Sequence, residues 1–404
     1  MNKRAKCLLL NVLMGVLFIA SATAQEFQVT VTAGDLDREG SIVRLHLPAP
    51  VDPGNYQMQD SDGSEVILQV MDENEAYFVI QSLAAGEQAV FTFSSESKIE
   101  SNANHVETTM DSNQIHISSN GDKVLSYFYD LNSPPSGIDE RYQRSGYIHP
   151  VYSPSGVILT NHLNEVQHPH HSGIWSAWTQ TEFEGRRPDF WNIHQNSGRV
   201  DGEGRLDKSW DGPVQAGFTA RHHFIDLSAD EPKVALNEEW KVQVYPVQGG
   251  SFHVFDLTVT QSANSDAPLF LPEYRYGGVG FRGHADWDNP DLVQFLTSKG
   301  EGRDGHGSRV HWVHIGGLSD GNLAGITIMD HPSNFRFPQT VRIHPDEPFF
   351  NYTPVQLGDM EIKPGTPYTV RYRYVTYDGE PDTEKIERFW RDFAYPPGVT
   401  VRRI

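Results

Sequence analysis

Apolar and polar residues alternate along most of this chain, and that alternation limits what it can fold into. The runs FQVTVTA, IVRLHL, EVILQVM, AYFVIQSL and AVFTF fall between Phe27 and Phe93. QIHIS, VLSYFYD, ARHHFIDL, VALNEEWKVQVYP, SFHVFDLTVTQS, VHWVHIGGL, LAGITIMD and PYTVRYRYVTYD follow. A period of two sends successive side chains to opposite faces of an extended chain, so each run offers one face to a core and the other to water. The runs are short and are separated by turn signals such as Pro53-Gly54, Asp62-Gly63 and Asn120-Gly121, the last a strong hairpin signal. Together they predict an all-β protein of antiparallel strands. One segment departs from this pattern. From Asp382 to Ala394, Ile386, Phe389, Trp390 and Phe393 recur at helical spacing until Pro396-Pro397 stops them, which predicts a single C-terminal helix.

A chain of 404 residues is longer than one sandwich usually needs. Residues 25–110 are expected to form a small immunoglobulin-like sandwich, and residues 111–404 a large antiparallel β-sandwich closed by the helix. The polar stretch Ser94 to Asn113 is expected to be a linker or exposed loop. Residues 1–24 carry Lys3, Arg4 and Lys6, an apolar run from Cys7 to Ala20, and Ala22-Thr23-Ala24, the pattern of a cleavable signal peptide. The expected location is therefore periplasmic or secreted. Cys7 is the sole cysteine, so the chain after Ala24 can form no disulfide. Without the leader, 29 Lys plus Arg stand against 53 Asp plus Glu, a net charge of −24. Such a surface repels nucleic acid and anionic membranes, and no further apolar stretch is long enough for membrane insertion.

Chemistry-bearing residues concentrate between Asn161 and Val200. His162, His168, His170, His171 and His194 occur there with Trp175, Trp178, Trp191, Arg186 and Arg187. Imidazoles act as acids, bases or metal ligands near neutral pH, and indole faces and guanidinium forks suit sugar rings and carboxylates. On a strand His168 and His170 would share one face and could hold a divalent metal ion while His171 faces away. The plain alternative is a histidine set that only hydrogen-bonds within its loop. Further along, Glu273 and Arg275 would share one strand face and Tyr274 and Tyr276 the other, either as site groups or as an ion pair beside two packed phenols. His331, Asn334 and Arg336 lie in the loop after LAGITIMD, where a strand end commonly carries function, though a self-satisfied proline loop reads the same way. Arg141 and His149 are weaker candidates. Gly278 to Gly283 matches GxGxxG by letter, but HADWDNPD follows it without helical spacing, so no nucleotide site is expected.

RSGYIHPVYSPSGVILTNHLNEVQHPHHSGIWSAW, EYRYGGVGFRG and MDHPSNFRFP, in that order, resemble the PmoA-like family, a bacterial domain with a historical methane-oxygenase label. That label implies a copper enzyme embedded in a membrane, which a chain without spanning segments does not fit. By analogy of fold, the pattern is similar to the large sandwich of galactose-mutarotase-like enzymes and polysaccharide lyases.

Two functions are in view. One is an exported carbohydrate-active enzyme acting on oligosaccharides or polysaccharide fragments, including uronic-acid-containing ones, by β-elimination, dehydration or hydrolysis. His170 or His171 would be the base, Tyr274 or Tyr276 the acid, and Arg275 or Arg336 the group that neutralises the carboxylate. His168 and His331 complete the catalytic candidates. Trp175, Trp178, Arg186, His194, Glu273 and Asn334 are the further substrate contacts. The other function is a non-catalytic glycan-binding protein of a polysaccharide-utilisation system, with the tryptophans as an exposed platform.

Overall fold

The computed structural model describes residues 24–100, 106–163, 168–246 and 251–404, so the leader expected at the N-terminus, with Cys7, lies outside the described residues apart from Ala24. The described chain is all-β with one C-terminal helix, and its strands pair antiparallel throughout. Among the described residues no helix is long and apolar enough to cross a membrane.

The first runs form an eight-stranded sheet that folds over its own core. Strand Glu26–Thr32 shows how alternation does this. Phe27, Val29 and Val31 are buried while the residues between them are partly exposed, and Phe27 stacks on Phe93 at 4.9 Å between ring centroids. Met58, Leu68 and Phe78 enter the same core from other strands. Two features differ from the expected segment 25–110. The sheet also takes up Gly398–Arg403, which pairs with Glu26–Thr32 in the register Val29↔Val401. Its partner is over 300 residues away, so no local pattern announces it. In addition, Val106–Met110, expected as linker, is a strand paired with Gln114–Ser119.

The larger part contains two eight-stranded sheets packed face to face and one two-stranded sheet, Leu269–Leu271 with Met360–Ile362. Phe218, Trp240, Phe255 and Tyr374 from one meet Tyr127, Phe281 and Phe350 from the other in a single apolar core. Asn120-Gly121 turns a hairpin as expected, with Asp122↔Ser119 in register. Helix Thr383–Ala394 begins where Asp382 accepts a hydrogen bond from the Lys385 amide, satisfying one of the free amides of the first turn. It lays Ile386, Trp390 and Phe393 on Met329 and Tyr377, on the opposite side of one sheet from the central core. In the other sheet, Ile174–Ala177, Gly278–Arg282 and Phe349–Tyr352 lie side by side, with Ile174↔Phe281 and Arg282↔Phe349 in register. That register brings three distant segments to one sheet end: the residues before Ile174, the end of Gly278–Arg282, and the residues before Phe349.

Candidate functional site

His168, His170 and His171 meet at that end in a turn rather than on a strand. The His171 amide donates to the His168 carbonyl at 2.9 Å, and His168 adopts a left-handed backbone at φ +54°. A non-glycine residue holds that conformation at a cost of about 1–2 kcal/mol, so the surrounding packing must impose it. The turn reverses the expected facing. His168 stacks on His171 at 5.0 Å, and His170 stands edge-on to both at 5.4 and 4.6 Å. Gly173 then lets the chain pass the sheet, because a Cβ there would lie 2.1 Å from the Ile148 carbonyl oxygen.

A buried carboxylate holds the turn in place. Glu347 puts one oxygen 2.7 Å from His168 Nδ1 and the other 2.8 Å from Arg282 Nη1, and Arg282 also binds Asp288. Burial pushes the Glu347 carboxyl up, but the contact with His168 and the charges of Arg282 and His344 outweigh it and hold the group below the usual range. His171 is sandwiched between Phe349 at 4.6 Å and Trp175 at 5.0 Å. Burial drives His171 well below the ordinary imidazole value. It drives His170 down to about 3, with His168, His194 and Arg144 adding to the effect. Both rings are therefore neutral near pH 7 and offer lone pairs.

A second group adjoins the first. Tyr276 donates to Asn192 Oδ1 at 3.1 Å and packs 5.3 Å from Trp191 and 5.0 Å from Tyr274. The Arg275 guanidinium lies over both phenol rings, at 5.8 and 5.6 Å. Burial and the charge of Arg275 lower the Arg342 guanidinium, while Tyr276, Glu347 and Tyr274 raise it. The rim is open: His168 is 39% exposed, and Arg275 and His194 are exposed. The floor, formed by His170, His171, Glu347 and Arg282, is buried.

The floor and its neighbours also hold polar atoms that the fold leaves unpaired. Arg144 Nε and Nη2, Arg282 Nε, Arg342 Nε, Trp175 Nε1 and His171 Nδ1 are buried with no hydrogen-bond partner. Arginine and indole nitrogens only donate, and each unpaired buried donor costs about 1–3 kcal/mol. Such a surplus of donors beside neutral imidazoles suits a ligand that brings oxygen acceptors, and it suits proton abstraction next to an anionic group.

Several expected residues lie elsewhere. His331 bonds Ser333 at 2.8 Å and packs on Phe393 of the C-terminal helix, making none of the contacts that join the histidine turn. Asn334 is bound to Asp330 and to the Arg371 backbone, and Arg336 is bound to the carbonyls of Pro354, Gly358 and Asp359, so both tie their own loop. Arg186 pairs with Asp226 and Glu184, and Glu273 is exposed beside Asp359. Trp175, Trp178 and Trp191 are 0, 1 and 1% exposed, so they form no platform. Residues 272–277 are not a strand, and Arg275 covers the tyrosines instead of facing away from them. His168 and His170 do not share a strand face, since the two rings stand edge-on in a turn at 5.4 Å. His168 Nδ1 faces Glu347, and among the described residues the one set of three potential ligands within 4.8 Å is His284, Asp286 and Asp320. A cleft of about 760 Å³ near Phe335, Asp359 and Tyr368 shares no lining residue with the histidine turn. Glu347, Arg282, Arg342, His344 and Arg144 were missed from sequence. Each stands far from the histidine run, and only the strand register joins them.

Residues 114–391 match a family of unknown function (DUF6807), and the chain belongs to that family. This replaces the PmoA-like resemblance, for which no match is found. No curated protein matches the chain. Among solved structures it is similar to a glycosyl hydrolase family 38 protein from Enterococcus faecalis, at 11% identity and a TM-score of 0.37, covering 94% of this chain and 47% of that one. It is also similar to an alpha-mannosidase from Enterococcus faecalis V583, at 11% identity and a TM-score of 0.38, covering 94% of this chain and 46% of that one. A galactose mutarotase related enzyme from Lactobacillus acidophilus matches at 9% identity and a TM-score of 0.22, covering 69% of this chain and 98% of that one. The chain spans under half the length of the two Enterococcus proteins.

Proposed function

We propose that the protein is an exported carbohydrate-active enzyme that acts on carboxylate-bearing oligosaccharides by β-elimination. The observation that carries this reading is the set of buried, unpaired guanidinium and indole donors around two neutral histidines. In the proposed step an arginine of the cluster neutralises the substrate carboxylate, which acidifies the proton on the α carbon. Neutral His170 takes that proton. The electron pair left behind forms the double bond to the β carbon as its bond to the leaving oxygen breaks, and the Tyr276 hydroxyl protonates that oxygen. Desolvation keeps His170 a weak base in the free protein. A carboxylate arriving beside it raises its affinity for the proton, so the base strengthens when substrate is bound.

Glycoside hydrolysis commonly needs two carboxyl groups flanking the bond. Here Glu347 and Asp288 are both engaged with Arg282, which favours elimination. The glycan-binding alternative loses its platform, since the three tryptophans are buried. The test is a screen of the purified protein against acidic and neutral oligosaccharides, followed by mass and ultraviolet absorbance. A new absorbing double bond without gain of water supports elimination. Cleavage with gain of one water replaces it by hydrolysis, and binding without turnover replaces it by the glycan-binding reading.

A further inference from the structure

Arg144 differs from every other arginine around the histidine turn. Arg282 is tied to Glu347 and Asp288, Arg342 Nη1 donates to the Ile343 carbonyl, and Arg275 is exposed above the tyrosines. Arg144 is 4% exposed, and no ion pair among the described residues includes it. Among the described residues its guanidinium makes one hydrogen bond, a long 3.5 Å contact from Nη1 to the His170 carbonyl, and both Nε and Nη2 are unpaired. The carboxyls whose charge it feels are engaged elsewhere. Glu238 is bound to His222 and Gln261, and Asp201 is bound to Arg199 at 2.7 Å. Burial lowers the Arg144 guanidinium to about 10, so it is still a cation at neutral pH.

Its backbone is pinned by two hydrogen bonds to Asn132, at 2.8 and 3.2 Å. Ser145 beside it binds the Gly202 amide at 2.9 Å. A buried cation without a counter-charge is strongly disfavoured, and an arginine fork with Nε and Nη2 free matches two carboxylate oxygens. With its backbone fixed to Asn132 and its side chain packed in the interior, the residue is in place before any ligand arrives, which lowers the ordering cost.

We infer that Arg144 is the specificity residue of this site and binds the carboxylate of an acidic sugar through its Nε and Nη2 edge, next to His170. The inference rests on the proposed function for the sugar and on the geometry above for the carboxylate. It explains why a protein of strongly negative charge would keep an unpaired buried cation in this place.

The test measures binding of galacturonate, galactose and acetate to the full chain lacking its leader, by calorimetry, for the unaltered protein and for Arg144→Gln and Arg144→Lys. The unaltered protein is expected to bind galacturonate about 10- to 100-fold more tightly than galactose, as a charge-assisted pair implies. Arg144→Gln should abolish that preference, and Arg144→Lys should retain only part of it, because an ammonium lacks the fork. If Arg144→Gln fails to fold, the lysine variant decides by the same ratio. A preference that survives in Arg144→Gln, or is undiminished in Arg144→Lys, overturns the inference, as does an unaltered protein that binds galactose as well as galacturonate, an outcome that leaves the sugar reading standing. Acetate and galacturonate bound equally, with both lost in Arg144→Gln, would support the role of Arg144 and overturn the sugar reading.

Discussion

Two buried polar clusters lie in the large sandwich, and they differ in whether the protein closes them. In the first, His222 accepts or donates at both nitrogens, 2.6 Å from Tyr127 Oη and 2.7 Å from Glu238 Oε2. Glu238 Oε1 accepts from Gln261 at 2.7 Å, and Gln261 accepts from Trp178 at 2.8 Å. Every member has its partner inside the fold, and His222, Glu238 and Gln261 are at most 1% exposed. The second cluster, around His170 and His171, is about as deeply buried but leaves donors unpaired. Satisfied polar networks rigidify a core, whereas an unsatisfied one calls for its own explanation, and a ligand that completes it is one. Burial alone therefore does not distinguish the two clusters; the unpaired donors of the second do.

The largest expected effect belongs to the closed cluster. Glu238→Ala strips His222 and Gln261 of their partner inside the core, and removal of one member of a buried charged network costs about 3–5 kcal/mol. Denaturant unfolding should show that loss. A change under about 1 kcal/mol would mean the cluster is not the structural element assigned here.

At the open cluster the expectation reverses. His170→Ala should lower turnover about 100-fold, the scale of losing a general base, with stability changed by about 1 kcal/mol. Kinetics on whichever oligosaccharide the screen selects, paired with a melting curve, gives both numbers. A large loss of stability with turnover preserved would move His170 into the structural class.

Acid sharpens the contrast further. With a folded-state value of about 3 against the ordinary 6.5, His170 is neutral in both folded and unfolded chains above pH 6.5. Below pH 6.5 the unfolded chain takes a proton that the folded one refuses, so stability falls as pH drops, by about 2 kcal/mol at pH 5 from this residue. His162, lowered by burial to about 4, acts in the same sense. Asp330 acts oppositely: burial raises it to about 7, so its contribution is lost as pH rises through that value. The clean measurement is therefore a difference, in which the unaltered protein loses more stability than His170→Gln between pH 7 and 5. Equal losses would show that His170 protonates freely in the folded state.

Local pattern carried the all-β class, the hairpin at Asn120-Gly121 and the C-terminal helix, because alternation, turn chemistry and helical spacing are written in neighbouring residues. The histidine run was visible for the same reason. Its geometry was not, since a left-handed His168 makes a turn where simple alternation implies a strand. Glu347 and Arg282 are set beside the turn only by the pairing of Ile174–Ala177, Gly278–Arg282 and Phe349–Tyr352, and strand register over such separations leaves no mark in a single sequence. The same limit hid the pairing of Gly398–Arg403 with Glu26–Thr32. His331 erred in the other direction, because a polar loop at a strand end looks alike whether it faces a site or a helix.

The smallest expected effect concerns that residue. His331 packs 4.8 Å from Phe393 and bonds Ser333 at the protein surface, and burial lowers it to about 4. His331→Gln keeps a polar side chain of similar reach in the loop, so the change should cost about 0.5 kcal/mol or less, the usual range for surface substitutions. Turnover should match that of the unaltered protein, since among the described residues the contacts of His331 run to Ser333 and Phe393 and not to His170, Tyr276 or Arg144. Steady-state kinetics at saturating and limiting substrate would check both kcat and kcat/KM. A ten-fold fall in either, with the melting temperature unchanged, would mean that the substrate reaches around to the helix side, and the open cluster would then be only one part of a larger site.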